Sequence, residues 1–167
     1  ATSDAKLIAL NGESISNMTF MGRTLKAGKW NTLCVPFALS EGAVTTLKSM
    51  LISGLELKTL SGYSNDGTNV TISFEDAKEI KANPPYSLYI PEGAGDQTDL
   101  TIPSIPVTID YSGATDLDDN AITKGGCTFK GIYTVTDFVA NDMRTLFLQS
   151  NRLYYPNGAT TINAFLG

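Results

Sequence analysis

The 167 residues include no histidine, and that absence removes Ser-His-Asp and Cys-His catalysis, histidine-ligated zinc and a neutral-pH imidazole switch together. Cysteine is nearly as scarce: Cys34 and Cys127 are the only two, too few for a zinc cluster or a disulfide scaffold. Charge is thin as well. Charged residues make up 17% of the chain, below the usual quarter, and 12 Lys and Arg are scattered singly among 17 Asp and Glu, for a net charge of −5. Nucleic acid requires a gathered basic footprint, so it is excluded as a partner, and anionic membrane surfaces are disfavoured for the same reason. No apolar run approaches the ~20 residues of a spanning helix, and residues 1–6 do not read as a signal peptide. The chain is therefore expected not to span a membrane, and its sequence is compatible with a mature or excised piece of a longer secreted protein. Phosphate-binding glycine motifs are missing too. Gly22 and Gly28 are too far apart for GxGxxG, and Gly125-Gly126 runs into Cys127 rather than Lys-Ser or Lys-Thr, so both sets read as turns.

What is present is a succession of short apolar or alternating segments, at 6–10, 18–25, 30–37, 55–60, 69–74, 86–90, 105–110, 127–135, 145–149, 153–155 and 161–165. Thr, Ser, Asn and Gly stand where charge is missing, as on the solvent faces and turns of β-proteins. Asn65-Asp66-Gly67 between two such segments signals a hairpin, and Asn11-Gly12 is a second turn signal. Pro84-Pro85 and Pro91 bracket the run 86–90 and argue that its ends are not central in a sheet. The densest block, 30–37, has no plainly polar face, so it reads as a central strand covered on both sides, with Trp30 buried. Val44, Leu47, Lys48 and Leu51 at helical spacing, behind Ser40 as N-cap and Glu41 in the first turn, predict a short helix against the pull of Val44, Thr45 and Thr46. The segments 91–105 and 112–124 lose periodicity and read as long loops. These signals predict an all-β fold, an antiparallel β-sandwich or jelly roll with one short helix, built as a single domain over residues 1–167 because neither half would hold more than a marginal core.

Candidate chemistry is sparse. Cys34 lies in an apolar strand without histidine or a flanking base to lower its pKa, so it is expected to be a buried structural thiol, unpaired with Cys127. Glu75, Asp76 and Glu79 are close in sequence but read as a solvated turn or helical start, and Glu13, Glu41, Glu56 and Glu92 show no pairing signal, so no carboxylate pair for glycoside hydrolysis stands out. No catalytic residue is nominated, no cofactor is expected, and the chain is read as not an enzyme. Among the seven tyrosines, Tyr154 and Tyr155 are the candidate ligand-binding residues, since adjacent side chains in a strand point to opposite faces and one of the rings is then free to meet a ligand. Asp116, Asp118 and Asn120 are candidate Ca²⁺ donors, with Asp96 and Asp99 able to complete a shell. Their spacing is not that of an EF-hand, because Ala121 and Cys127 stand at the positions of its glycine and glutamate, so the expectation is a solvated loop and no required metal.

The residues of 28–37, Gly-Lys-Trp-Asn-Thr-Leu-Cys-Val-Pro-Phe, followed by Ile72-Ser73-Phe74 and by 80–90, resemble a β-sandwich module that recurs in secreted and surface multi-domain proteins of Bacteroidetes. The segments 129–133, 146–148, 153–155 and 162–165 resemble its closing strands. The similarity covers roughly residues 20–166, and departs from the module's pattern at Pro85 and at Leu166-Gly167. The resemblance implies export and an accessory role beside other domains, and carries over no site residue. The resulting expectation is a non-catalytic structural or interaction module of an extracellular or cell-surface protein, whose partners are other domains or surface proteins. Two alternatives stand beside it: a carbohydrate-binding module, for which exposed tyrosines with Asn, Asp or Gln beside them would speak, and an adhesin or fimbrial subunit, which requires an open edge strand.

Overall fold

The computed structural model describes residues 4–19, 23–102, 104–111, 113 and 120–162. The chain opens with a helix, α1 (Asp4–Ala9), and three two-residue strands, β1 (Ser14–Ile15), β2 (Met18–Thr19) and β3 (Thr24–Leu25). Then come β4 (Lys29–Cys34), a second helix, α2 (Glu41–Met50), β5 (Glu56–Asn65), β6 (Val70–Asp76) and β7 (Pro85–Ile90). A single 3₁₀ turn (Glu92–Ala94) leads to β8 (Gln97–Thr98), β9 (Thr101–Ile102) and β10 (Val107–Thr108). The remaining strands are β11 (Ala121–Lys124), β12 (Cys127–Lys130), β13 (Thr136–Phe138), β14 (Phe147–Gln149), β15 (Arg152–Tyr154) and β16 (Thr160–Ile162). All strand pairs are antiparallel, and the molecule is mostly β with two short helices.

One four-stranded sheet, in the order β4-β7-β5-β6, organises the rest. Its inner face carries Leu33, Leu57, Tyr86, Leu88 and Ile90, and the chain beyond β4 extends that surface through Val35, Phe37 and Leu39. Against it lies α2, as the spacing of its apolar residues requires: Val44 and Leu47 are buried, and the Ser40 hydroxyl accepts from the Ala43 amide at 3.3 Å to cap the first turn. Leu33, Leu57 and Leu88 of the sheet, Val35, Phe37 and Leu39 beyond it, and Val44 and Leu47 of α2, with Leu51, Ile52, Leu55, Ile80, Leu100 and Ile102, line an apolar cavity of about 40 Å³. The two-residue strands pair across the chain, β1 with β10, β2 with β9 and β3 with β8, and fasten the N-terminal segment to residues 97–108.

The hairpin expected at Asn65-Asp66-Gly67 joins β5 to β6. The Asp66 carboxylate accepts from the amides of Thr68 and Asn69, and Gly67 adopts φ 87°, which a side chain would resist. Several expectations need correction. Residues 6–10 are not a strand: most of them belong to α1, whose Ala, Lys and Leu are good helix formers, so the described residues form two α-helices rather than one. The strand β4 is an edge, not the centre, and Trp30 is only half-buried, because the sheet continues on one side alone. By contrast, the expectation for the ends of β7 holds at the Pro85 end: β5 pairs with β7 only over residues 87–89, Pro85 and Tyr86 pair with β4 alone, and Pro85 is tolerated as the first residue, where a missing amide interrupts no ladder. Glu75 and Asp76 end a strand rather than form a turn. Finally, β11 falls within the expected loop 112–124, forming a hairpin with β12 around Gly125 (φ 57°) and Gly126.

Candidate functional site

The outer face of the sheet holds the chemistry-bearing side chains. Register places Trp30 opposite Tyr89 and Tyr89 opposite Glu56, with Thr32, Ser87 and Lys58 forming the next row on the same face. The Trp30 and Tyr89 rings lie 5.4 Å apart, tilted by 48°, and the Lys58 ammonium sits 6.0 Å from the Trp30 ring centre. Lys58 binds Asp76 on β6 at 2.7 Å and approaches Glu56 at 3.9 Å. The hydrogen bond to Asp76 is the main cause that raises the Lys58 pKa, and the same bond holds the Asp76 carboxyl below its ordinary value. This corner is thus an aromatic pair beside one ammonium and two exposed carboxylates.

The hairpin of β14 and β15 borders this face. Ser150 and Asn151 at its tip have φ 50° and 65°, the left-handed pair that a two-residue turn demands. Asn151 accepts from the Trp30 amide at 2.7 Å and donates to the Gly28 carbonyl at 3.2 Å, so its amide covers the start of the β4 edge. Further along the hairpin, Tyr154 stacks on Phe147 with ring centres 6.1 Å apart. Both expected tyrosines face solvent, Tyr154 at 41% and Tyr155 at 49% exposure, because β15 ends at Tyr154 and the alternation that would separate them stops there. Along the chain, Val135, Val139, Met143, Leu146 and Leu153 are also exposed and lie in the same C-terminal third.

At the opposite end of the outer face, Cys34 is fully buried and its thiol donates to the Asn83 carbonyl at 3.2 Å. Asn83, at φ 82°, is a hub. Its amide donates to Val35, its side chain donates to the Asp110 carbonyl at 3.1 Å, and its side-chain oxygen accepts from the Tyr133 hydroxyl at 3.0 Å. The Tyr133 ring meets Tyr111 at 4.8 Å, and the Arg23 guanidinium donates to the Thr32 carbonyl. Burial pushes the Cys34 thiol up to about 11 and lowers Arg23 to about 10. A thiol held protonated is the reverse of an activated nucleophile, so this cluster fastens residues 131–133 and 110–111 to the sheet. Sequence reasoning singled out Cys34 correctly as a buried thiol, unpaired with Cys127, and missed Asn83.

Of the candidate calcium donors, Asp116 and Asp118 lie outside the described residues. Asn120 is buried at 4% exposure, and its carbonyl accepts from the Gly131 amide. Asp96 is engaged elsewhere: Lys26 at 2.8 Å and the Ala27 amide at 2.9 Å hold its carboxyl below the ordinary range and tie the β3–β4 connection to residues 92–98. Among the described residues no three His, Cys, Asp or Glu side chains gather as a metal shell. No described helix is long and apolar enough to cross a membrane. Comparison of the chain with protein-family models, curated proteins and solved structures returns no match.

Proposed function

We propose that the chain is a non-catalytic interaction module of a secreted or cell-surface protein, a β-sandwich of the accessory kind that residues 28–37 and 80–90 resemble. The observation that carries this reading is that, among the described residues, seven of the twelve large exposed apolar side chains fall between Val135 and Tyr155 along the chain, while the described polar interior is fully hydrogen-bonded. Scattered apolar residues are ordinary on a surface, but their gathering in one stretch of the chain is what a contact with another protein uses. The test is site-specific photo-crosslinking from position 155 and, as control, from Thr68 at the β5–β6 turn, in the intact protein on the cells that make it. A discrete adduct from position 155 alone supports the reading; equal labelling from both positions, or none, overturns it.

A second reading, a carbohydrate-binding module, is favoured by one observation: Tyr154 and Tyr155 are both exposed, with Asn151 and Asn157 nearby in sequence. Titration with a glycan panel at up to ~1 mM decides it, the expected signature being loss of binding in Tyr154→Ala and Tyr155→Ala with unchanged melting temperature.

A further inference from the structure

The strand β6 forms one edge of the four-stranded sheet, and six of its seven residues are exposed. Two hydrogen bonds fix which of its amides point outward. The Asp66 amide donates to the Asn69 carbonyl at the turn, and beyond the other end of the strand the Ala77 amide donates to the Leu57 carbonyl at 2.9 Å. Both bonds give odd-numbered residues to β5, so the N–H and C=O groups of Val70, Ile72, Phe74 and Asp76 face the open edge. Among the described residues no strand pairs there. Natural edges are usually blunted by proline, lysine, a bulge or shortness. This one has no proline or lysine, spans seven residues as Val-Thr-Ile-Ser-Phe-Glu-Asp with its two charges confined to one end, and the bulge lies on β5, between Leu60 and Gly62.

We propose that β6 is a self-association edge, pairing antiparallel with β6 of a second copy about a two-fold axis at Ser73. The register argues for a second copy as the occupant. Centred on Ser73, the midpoint of the strand, it sets Ile72 against Phe74 at the middle, with Val70 against Asp76 and Thr71 against Glu75 further out, so the central pairs are apolar and no carboxylate faces another. Centred on Glu75, it would oppose two carboxylates; centred on Thr71, it would leave Phe74 against the hairpin turn. Asp76 is already neutralised by Lys58, and the two Glu75 carboxylates stand about 13 Å apart in the proposed register, beyond the screening length at physiological salt. Even-numbered side chains share one face, so Ile72 and Phe74 of both copies would meet beside Phe129, whose ring already touches Phe74 at 5.9 Å. Strand pairing alone buries less than a standard interface, so the expected affinity is weak, with Kd on the order of 50 μM.

Sedimentation velocity on the wild-type chain from ~10 to ~500 μM tests this, with expected passage from monomer to dimer. Ile72→Pro removes an outward amide without taking a bond from β5, and is expected to raise Kd at least about tenfold while the melting temperature holds. Ser73 meets its own copy in a non-hydrogen-bonded pair, a Cα separation of about 4.5 Å that a disulfide spans. In a Cys127→Ser background, Ser73→Cys is therefore expected to yield a covalent dimer on oxidation, and Thr71→Cys is not. A monomer throughout, a dimer indifferent to Ile72→Pro, or cross-linking equal at 71 and 73 overturns the proposal. So does a monomer that instead takes up a strand-forming peptide of unrelated sequence, which would assign the edge to another protein.

Discussion

Replacing Gly131 with alanine is expected to be among the most damaging single-methyl changes in the chain. Gly131 is buried with no left-handed backbone requirement, so the effect of a side chain there is steric alone. An added Cβ would fall inside van der Waals contact of Cys34 Sγ, 2.9 Å from Cys34 Cβ and 3.3 Å from the Asn83 carbonyl oxygen. None of these atoms can swing away, since Cys34 Cβ is fixed by β4 and its sulfur is held by Asn83. Overpacking of a filled interior costs about 1–3 kcal/mol, and with a backbone neighbour on one side the upper end, about 3 kcal/mol, is expected. Cys34→Ala alone removes the buried sulfur for about 1–2 kcal/mol. In the double variant the sulfur clash is gone while the Cβ contact at 2.9 Å remains, so rescue should be partial, with a coupling energy of about 1–2 kcal/mol. Urea unfolding of the four species of this cycle, followed by far-UV circular dichroism, measures each value. A Gly131→Ala cost below about 0.5 kcal/mol, or additivity of the two changes, would show that residues 131–133 are not packed on Cys34 as the structure has them.

Four further outcomes are expected. Trp30→Ala should cost about 1–2 kcal/mol, less than the ~3–5 kcal/mol of a fully buried aromatic, and acrylamide should quench Trp30 fluorescence in the folded protein; a blue-shifted, unquenchable emission would contradict its half-burial. Alkylation without reductant should modify Cys127 in the native state and Cys34 only after unfolding, so that intact mass shows one added group and then two; a mass showing none would reveal a disulfide. Because burial raises the Cys34 thiol from 9.0 to about 11, the unfolded chain loses that proton first, and stability should fall by about 1.4 kcal/mol per pH unit between pH 9 and 11. Urea midpoints across that range should lose most of the slope in Cys34→Ala, and an unchanged slope would assign it to Tyr86 and Tyr133, whose hydroxyls burial also shifts upward. Asn151→Ala should lower stability by about 1 kcal/mol through loss of the contacts to Trp30 and Gly28, and thermal melts that show no change would remove its role as an edge cover.

Much of the fold was legible because its signals are local. The alternation of 30–37 holds in the structure, with Leu33 and Val35 inward and Trp30, Thr32 and Cys34 outward. The Ser40 cap and the spacing of Val44 and Leu47 gave α2, and Asn65-Asp66-Gly67 gave the β5–β6 hairpin. Alternation does not say which strand lies at an edge. Cys34 looks central because residues 131–133 cover its outer side, and nothing in 30–37 announces cover from a segment so distant in sequence. Ala121–Lys124 hides for a related reason. Its own burial pattern is half exposed, and only pairing with Cys127–Lys130 makes it a strand.

The site was less legible than the fold, and Asn83 shows why. A residue with positive φ that is not glycine is most often asparagine or aspartate, whose short polar side chain can bond locally in that conformation. Asn83 directly before Pro84-Pro85 is therefore a readable turn signal, but nothing local says what its side chain binds. In the structure the same residue donates to Val35 and Asp110 and accepts from Cys34 and Tyr133, joining segments from 34 to 133. Local sequence can state that an asparagine will turn the chain. What the freed amide and carbonyl then bind depends on which distant segments the core brings near, and at Asn83 that is what converts a loop residue into the hub of one end of the sheet.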